Sequence, residues 1–463
     1  MKRLLIFCVV CLSYAGYAQD FCVSFPSGKT LCFDFTSSQT VGIAKNNKTN
    51  DGRYAFEGTI SIPEKVTDRG DTYIVNVIGN LGHTNLTSVK LPESVTLINN
   101  HAFWSCQKLI SINLPNSLTG INPCAFEYCS MLKSVTIPNS VKVIGRRAFK
   151  NTGLTSVVIP STVEYIGRST FENCHNLQTA TIGCSRIIGT ENKNPANDYK
   201  KTRQMKGFYG YYDVDDSYKV NIVSGAFKNC ENMQFVTLTN SVTHIGDETF
   251  SMCSGLKYIS IPESVKYIGK EAFFKCVSLL DVTINGNVQV IGDGAFYNCT
   301  SLREVVISGS ATYIGICAFS DCVSLRDVVI PDGVTTLGVR AFANCRRLRT
   351  IKLPSSLVRI VCDISTMEYG HTSYGFERDY TSNRLSCYAY KKYVLMEDNT
   401  LTLKETDNSE YYHLYLYDIG GDAPNDLDLF TGCVSLEKII IPVGSYEKFA
   451  ALLPDYKDKL VEE

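Results

Sequence analysis

Cysteine and histidine are the side chains of this protein best suited to chemistry, and there are 19 Cys and six His to consider. A nucleophile, redox pair or metal site needs such residues to converge. The histidines (83, 101, 175, 244, 371 and 413) show neither an HExxH motif nor any paired spacing for zinc. No GxSxG elbow and no phosphate-binding loop occurs. Cys174-His175 resembles a dyad on paper only: Cys174 belongs to a repeated inward position, so the adjacent His175 points elsewhere. The expectation is a protein that is not an enzyme and carries no cofactor or metal.

The spacing of the cysteines points to architecture instead. Ten of them (106, 129, 174, 230, 253, 276, 299, 322, 345 and 433) stand three residues after a Phe. That Phe recurs at 103, 126, 149, 171, 227, 250, 273, 296, 319, 342 and 430, and seven of the ten intervals are 23 residues and one is 22. The remaining two are 56 and 88, one period plus an insertion. A fixed period of this size marks a solenoid whose coils pack on their neighbours.

Between Ala272 and Phe296 the unit reads Ala-Phe, Cys276, Leu279, then Val282 and Ile284, then Val288, Ile291 and Gly292. Val282 and Ile284 share one face of a short strand and Thr283 points out. Four residues before the Phe sits Gly145, Gly167, Gly246, Gly269, Gly292, Gly315 or Gly338, replaced by Asn99, Asn122 or Asp426 in three coils. Residues tolerant of a left-handed backbone predict a positive φ there. Stacked coils lie ~4.8 Å apart with parallel side chains. A disulfide wants converging Cβ atoms ~3.8 Å apart, so the ten cysteines are expected to be buried free thiols.

The segments LKSVTIPNSVKVIGRRAF from Leu132 and LKYISIPESVKYIGKEAF from Leu256 resemble the BspA-like, treponemal-type leucine-rich repeats of bacterial surface proteins, with an ending like that of Bacteroidetes members. The resemblance covers residues 60–442 apart from the insertions. It implies a secreted or surface-exposed protein, and adhesion to host proteins as one family activity. The expected fold is mostly β with short helical turns: a right-handed leucine-rich-repeat solenoid of about twelve coils, with two insertions and terminal caps.

Lys2 and Arg3, the apolar run Leu4–Leu12, and the small residues Gly16 and Ala18 read as a signal peptide over residues 1–18. Phe7 and Val10, which precede Cys8 and Cys11, do not suit lipid attachment. The apolar run is too short to span a bilayer, so a secreted or cell-surface protein without a membrane span is expected. With 45 basic and 46 acidic side chains, no field would gather nucleic acid.

Residues 19–59 read as an N-terminal cap hairpin, Phe21–Phe25 against Leu31–Phe35, with Cys22 and Cys32 as a possible disulfide. The solenoid, 60–442, carries insertions at about 184–220 and 361–425. Residues 443–463 form a capping helix and tail, in which Ser445 can N-cap a helix that Pro454 stops. The second insertion is Tyr-rich, with alternation in Tyr388–Met396 and Tyr411–Ile419 suggesting strands.

Candidate contacts follow from the outward strand positions. Phe235 and Tyr258 are followed by Asp281, Glu304 and Asp327 in one row, with Arg303, Arg326 and Arg349 beside it. Like charges on neighbouring strands are unfavourable. The acidic row is therefore either half of an ion-pair ladder or part of a ligand strip. Arg69-Gly70-Asp71, between strands Ile60–Ile62 and Tyr73–Ile78, is an exposed cell-adhesion-like tripeptide or simply a Gly turn. The function expected is adhesion to, or recognition of, an extracellular or host protein through the solenoid face. The alternative is glycan binding through the Tyr-rich insertions, with Tyr411, Tyr412 and Tyr415 as contacts.

Overall fold

Alternation decides the strand of each repeat. In Asp281–Ile284, Val282 and Ile284 are buried while Asp281 and Thr283 face solvent, and Tyr258–Ile261 and Glu304–Ile307 repeat the pattern. The computed structural model describes residues 21–24, 30–44, 56–183, 225–361 (except Gly286 and Gly309), 371–379, 384–395, 401–405 and 429–463. The chain is a mostly-β, right-handed leucine-rich-repeat solenoid of about a dozen coils with few short helices. It divides into two units, Met1–Val242 and Thr243–Glu463.

The first unit opens with the hairpin Phe21–Ser24 and Thr30–Phe35, in which Cys22 lies opposite Cys32 and the two form a disulfide. The hairpin continues through Thr40–Ile43 into Asp71–Ile78, which carries the parallel stack Leu97–Ile98, Gly120–Ile121, Val143–Ile144 and Tyr165–Ile166. The outward-facing strands of the repeats form separate parallel ladders, the later one containing Ser156–Ile159, Thr179–Ile182 and Phe235–Leu238. Lys65–Asp68 is a strand the residue pattern did not suggest, and it pairs antiparallel with Asp71–Ile78. Arg69-Gly70 is therefore the two-residue turn of a tight hairpin, with φ of 50° and 99°, as such hairpins require. Asp71 opens the following strand.

In the second unit Tyr258–Ile261, Asp281–Ile284 and Glu304–Ile307 form one parallel ladder. Asp327–Val329, Thr350–Lys352, Lys438–Ile441 and Leu460–Glu462 form the next. No backbone pairing joins Glu304–Ile307 to Asp327–Val329, whereas the shorter strands of the same coils pair Tyr313 with Thr336 and Ile314 with Leu337. The second insertion contributes a three-stranded antiparallel sheet, His371–Asp379, Arg384–Leu395 and Leu401–Glu405. The alternating segment from Tyr388 falls in its central strand. Tyr411–Ile419 lies outside the described residues.

The core is a file of phenylalanines. In the second unit Phe250, Phe273, Phe296, Phe319 and Phe342 are fully buried. Their rings stack at centroid separations of 5.0–5.5 Å, within the range favoured by aromatic pairs. In the first unit Phe171 stacks on Phe227 at 5.0 Å, so the coil resumes its register after the first insertion.

The backbone around each Phe corrects one expectation. Glycines four before the Phe are not left-handed; the positive φ values fall two before and two after it, as at Glu271 (53°) and Lys275 (55°) around Phe273. The N–H groups of Glu271, Phe273 and Lys275 donate to the carbonyls of Asp293, Ala295 and Tyr297 in the next coil. Those of Ala272, Phe274 and Cys276 instead donate three residues back, to Gly269, Glu271 and Phe273. Alternating handedness serves both sets, and the inter-coil bonds offset the cost of a left-handed non-glycine residue. The glycine has a different task. A Cβ on Gly292 would lie 2.7 Å from the Gly269 carbonyl carbon and 2.8 Å from the Lys270 nitrogen, so coils approach backbone to backbone there.

The C-terminal cap forms helix Tyr446–Leu452 with Phe449 and Ala450 buried, but Ser445 makes no side-chain cap. Its hydroxyl donates to the Pro442 carbonyl. The Tyr446 N–H is taken by Glu462 Oε1 at 2.8 Å, so the end strand caps the helix. Pro454 turns the chain into a 3-10 helix, Pro454–Lys459.

Candidate binding surface

Outward strand positions of the second unit make columns across its coils. The first contains Tyr258, Asp281 and Glu304, in register, and then Asp327, Thr350 and Lys438, also in register. Tyr258 is 50% exposed. Asp281 lies directly opposite Glu304, an unfavourable pairing of like charges. Arg349 Nη2 reaches Asp327 Oδ2 at 3.8 Å, with both side chains about half exposed. Among the described residues neither Asp281, Glu304, Arg303 nor Arg326 has an ion pair within 4.0 Å. A complete ion-pair ladder is therefore not formed; one rung is.

The second column holds Thr283, Val306 and Val329. The two valines are exposed at 43% and 60%, and they were not among the sequence-derived contacts. Their signal was present: an apolar residue at a position the period turns outward. It reads equally as strand propensity, since β-branched residues suit a pleated surface. Phe235, 53% exposed, occupies the equivalent outward position in the first unit, in register with Thr179. Tyr411, Tyr412 and Tyr415 lie outside the described residues.

The buried thiols are held where they are poor nucleophiles. Cys299 Sγ donates to the Phe273 carbonyl at 3.2 Å, Cys322 to Phe296 at 3.3 Å and Cys345 to Phe319 at 3.2 Å. In the first unit Cys129 and Cys174 donate to Phe103 and Phe149 at 3.1 Å. These thiols are free and buried, and Cys433 is half-buried. Burial pushes the Cys174 thiol up to about 11 against the lowering hydrogen bond from Thr152, so it is not a thiolate near neutrality. His175 faces solvent with Nδ1 3.9 Å from Glu231 Oε2. Cys174 and His175 thus form no dyad. Among the described residues no group of three or more His, Cys, Asp or Glu could hold a metal ion, and no helix is long and apolar enough to cross a membrane.

Arg69 and Asp71 are exposed at the hairpin turn, where Arg69 Nε stands 3.9 Å from Asp68 Oδ2.

The repeat geometry coincides with a known family. The BspA type leucine rich repeat region matches in six copies, over residues 75–178, 220–349 and 312–363, more than half of the chain. The chain is a BspA-type leucine-rich-repeat protein. No curated protein matches it. Among solved structures, this BspA-type chain is similar to a leucine-rich repeat protein from Bacteroides ovatus, at 24% identity over 71% of this chain and 88% of that one, with a TM-score of 0.40. A leucine rich cell surface protein from Faecalibacterium prausnitzii is 21% identical over 94% and 98%, with a TM-score of 0.35. The pneumococcal vaccine antigen PcpA is 14% identical over 95% and 96%, with a TM-score of 0.43. The assignment of this BspA-type protein rests on its repeats, and the varied sources of these structures do not narrow its origin.

Proposed function

We infer that this BspA-type protein is exported by its N-terminal segment and recognises an extracellular protein, without catalysis, through the exposed strand face of the second unit. The observation that carries this reading is the Asp281–Glu304 pair. Two carboxylates face each other on neighbouring strands with no ion pair to either within 4.0 Å, beside an exposed Tyr258. Such an arrangement is unfavourable in the free protein and becomes favourable when a partner brings positive charge to it. Tyr258, Val306 and Val329 supply contact area that a partner would desolvate.

The test is a binding screen of the full chain against matrix proteins and a glycan array. It is followed by the variant Asp281→Asn/Glu304→Gln/Asp327→Asn, which keeps shape and removes three charges. Weaker binding with a flatter salt dependence supports the acidic column as the site. Retained binding by this variant, but loss on deleting residues 363–424, would transfer recognition to the Tyr-rich insertion and favour its glycan alternative.

A further inference from the structure

Two columns of opposite charge run side by side down the second unit. Arg303, Arg326 and Arg349 each immediately precede an outward strand, and Asp281, Glu304 and Asp327 each begin one. All six side chains are exposed. The 3.8 Å contact from Arg349 back to Asp327 shows that the columns are neighbours on one face. The same reach would join Arg326 to Glu304 and Arg303 to Asp281, yet those pairs do not form within 4.0 Å.

We propose that this face pairs with the same face of a second copy of the chain, about a two-fold axis that runs along the stacking direction between the columns. This rests on reading the face as the binding surface and names its partner. An isologous contact must be complementary to itself. Rotation about this axis lays Arg303 of each copy over Glu304 of the other and Arg326 over Asp327, coil on coil, while Asp281 and Arg349 flank these four contacts at either end. An axis across the coils would instead lay arginine on arginine. Since each coil meets its own equivalent, the break in pairing between Glu304–Ile307 and Asp327–Val329 faces an identical break and costs no register. A polyanion such as a sulfated glycan would meet the acidic column, and a uniformly basic peptide would meet the arginines. A second copy presents both signs in the opposite order by symmetry alone. Each exposed pair contributes little, so the association is weak and salt-sensitive.

Sedimentation of the full chain over a range of concentrations and salt tests this with charge reversal. Asp281→Arg/Glu304→Arg/Asp327→Arg makes both columns positive; Arg303→Glu/Arg326→Glu/Arg349→Glu makes both negative. The parent is expected to self-associate, with a dissociation constant that rises about tenfold between low and high NaCl. Each variant alone should be monomeric, and their mixture should form a one-to-one complex. Circular dichroism confirms folding. If a reversed variant does not fold, the neutral variants, Asp281→Asn/Glu304→Gln/Asp327→Asn and Arg303→Gln/Arg326→Gln/Arg349→Gln, should each weaken parent association. A parent that stays monomeric at low salt overturns the proposal, as does a mixture of folded reversed variants that fails to associate, or neutral variants that associate like the parent. If the parent is monomeric but still captures a matrix protein through the acidic column, self-pairing fails and the recognition reading stands.

Discussion

Cys299 donates its thiol to the carbonyl oxygen of Phe273, one coil earlier, at 3.2 Å. The same carbonyl already accepts the Cys276 N–H, so the thiol supplies a second, weaker bond while filling space as a small apolar group. Burial also holds Cys299 well above the usual thiol range. A bulky thiol reagent should therefore leave Cys299 and its buried equivalents, all but the half-buried Cys433, untouched in native protein. Denaturant without reductant should expose them all. Mass-mapped disulfides between Cys276 and Cys299, or between Cys299 and Cys322, would contradict this arrangement.

Gly292 and Gly294 are two residues apart and should respond differently to a methyl group. A Cβ on Gly292 meets the preceding backbone at 2.7 Å, whereas Gly294, at φ 58°, has Glu271 Cγ as its nearest neighbour at 3.3 Å. Gly294→Ala should cost about 1 kcal/mol, the penalty of a left-handed non-glycine residue. Gly292→Ala should cost more, about 2–3 kcal/mol or greater, because coil spacing must yield. Urea unfolding compares the two, and equal losses would mean that the coil spacing at Gly292 yields at little cost.

Phe296 stacks between Phe273 and Phe319 at 5.0 and 5.2 Å and is fully buried. Phe296→Ala should lose about 3–5 kcal/mol, with hydrogen-exchange protection falling in the flanking coils as well. Thr283→Ala, on the exposed face, should change stability by less than about 0.5 kcal/mol. Comparable losses from the two would invert the assignment of inside and outside.

Asp293 is buried, accepting the Ile316 N–H at 2.8 Å and the Tyr313 hydroxyl at 3.1 Å on one oxygen. Desolvation raises its carboxyl from 3.8 to about 6, opposed by those two hydrogen bonds and by Lys270 and reinforced by Glu271. The folded state therefore holds the proton more tightly than the unfolded chain. The stability this residue contributes is complete below about pH 4, declines as pH rises to about 6, and is level above. Asp293→Asn keeps an acceptor for both donors. It should flatten stability between about pH 4 and 6 relative to the parent, and gain at most about 3 kcal/mol at neutral pH. Thermal melts of both proteins across that range give the comparison, and parallel curves would show that Asp293 does not titrate there.

What the residues determined alone was everything the period controls. Phe at one position and Cys three later, repeated every 23 residues, place each pair in the same environment, since equivalent residues of stacked coils share their neighbours. Val282 and Ile284 inside and Thr283 outside followed from the two-residue repeat of a strand. The tertiary structure decided whatever depends on distances between coils or on contacts remote in the chain. Glu271 and Lys275 carry no sequence mark of a left-handed backbone, because a bond to the next coil, not residue type, selects it. Gly292 is needed for clearance from the coil before it, a distance no local pattern contains. Glu462 caps the helix at Tyr446 from 16 residues away. Whether a charged column pairs was likewise not legible: Arg349 meets Asp327 while Arg303 and Asp281 stay apart, because long exposed side chains gain too little from pairing for composition to fix their geometry.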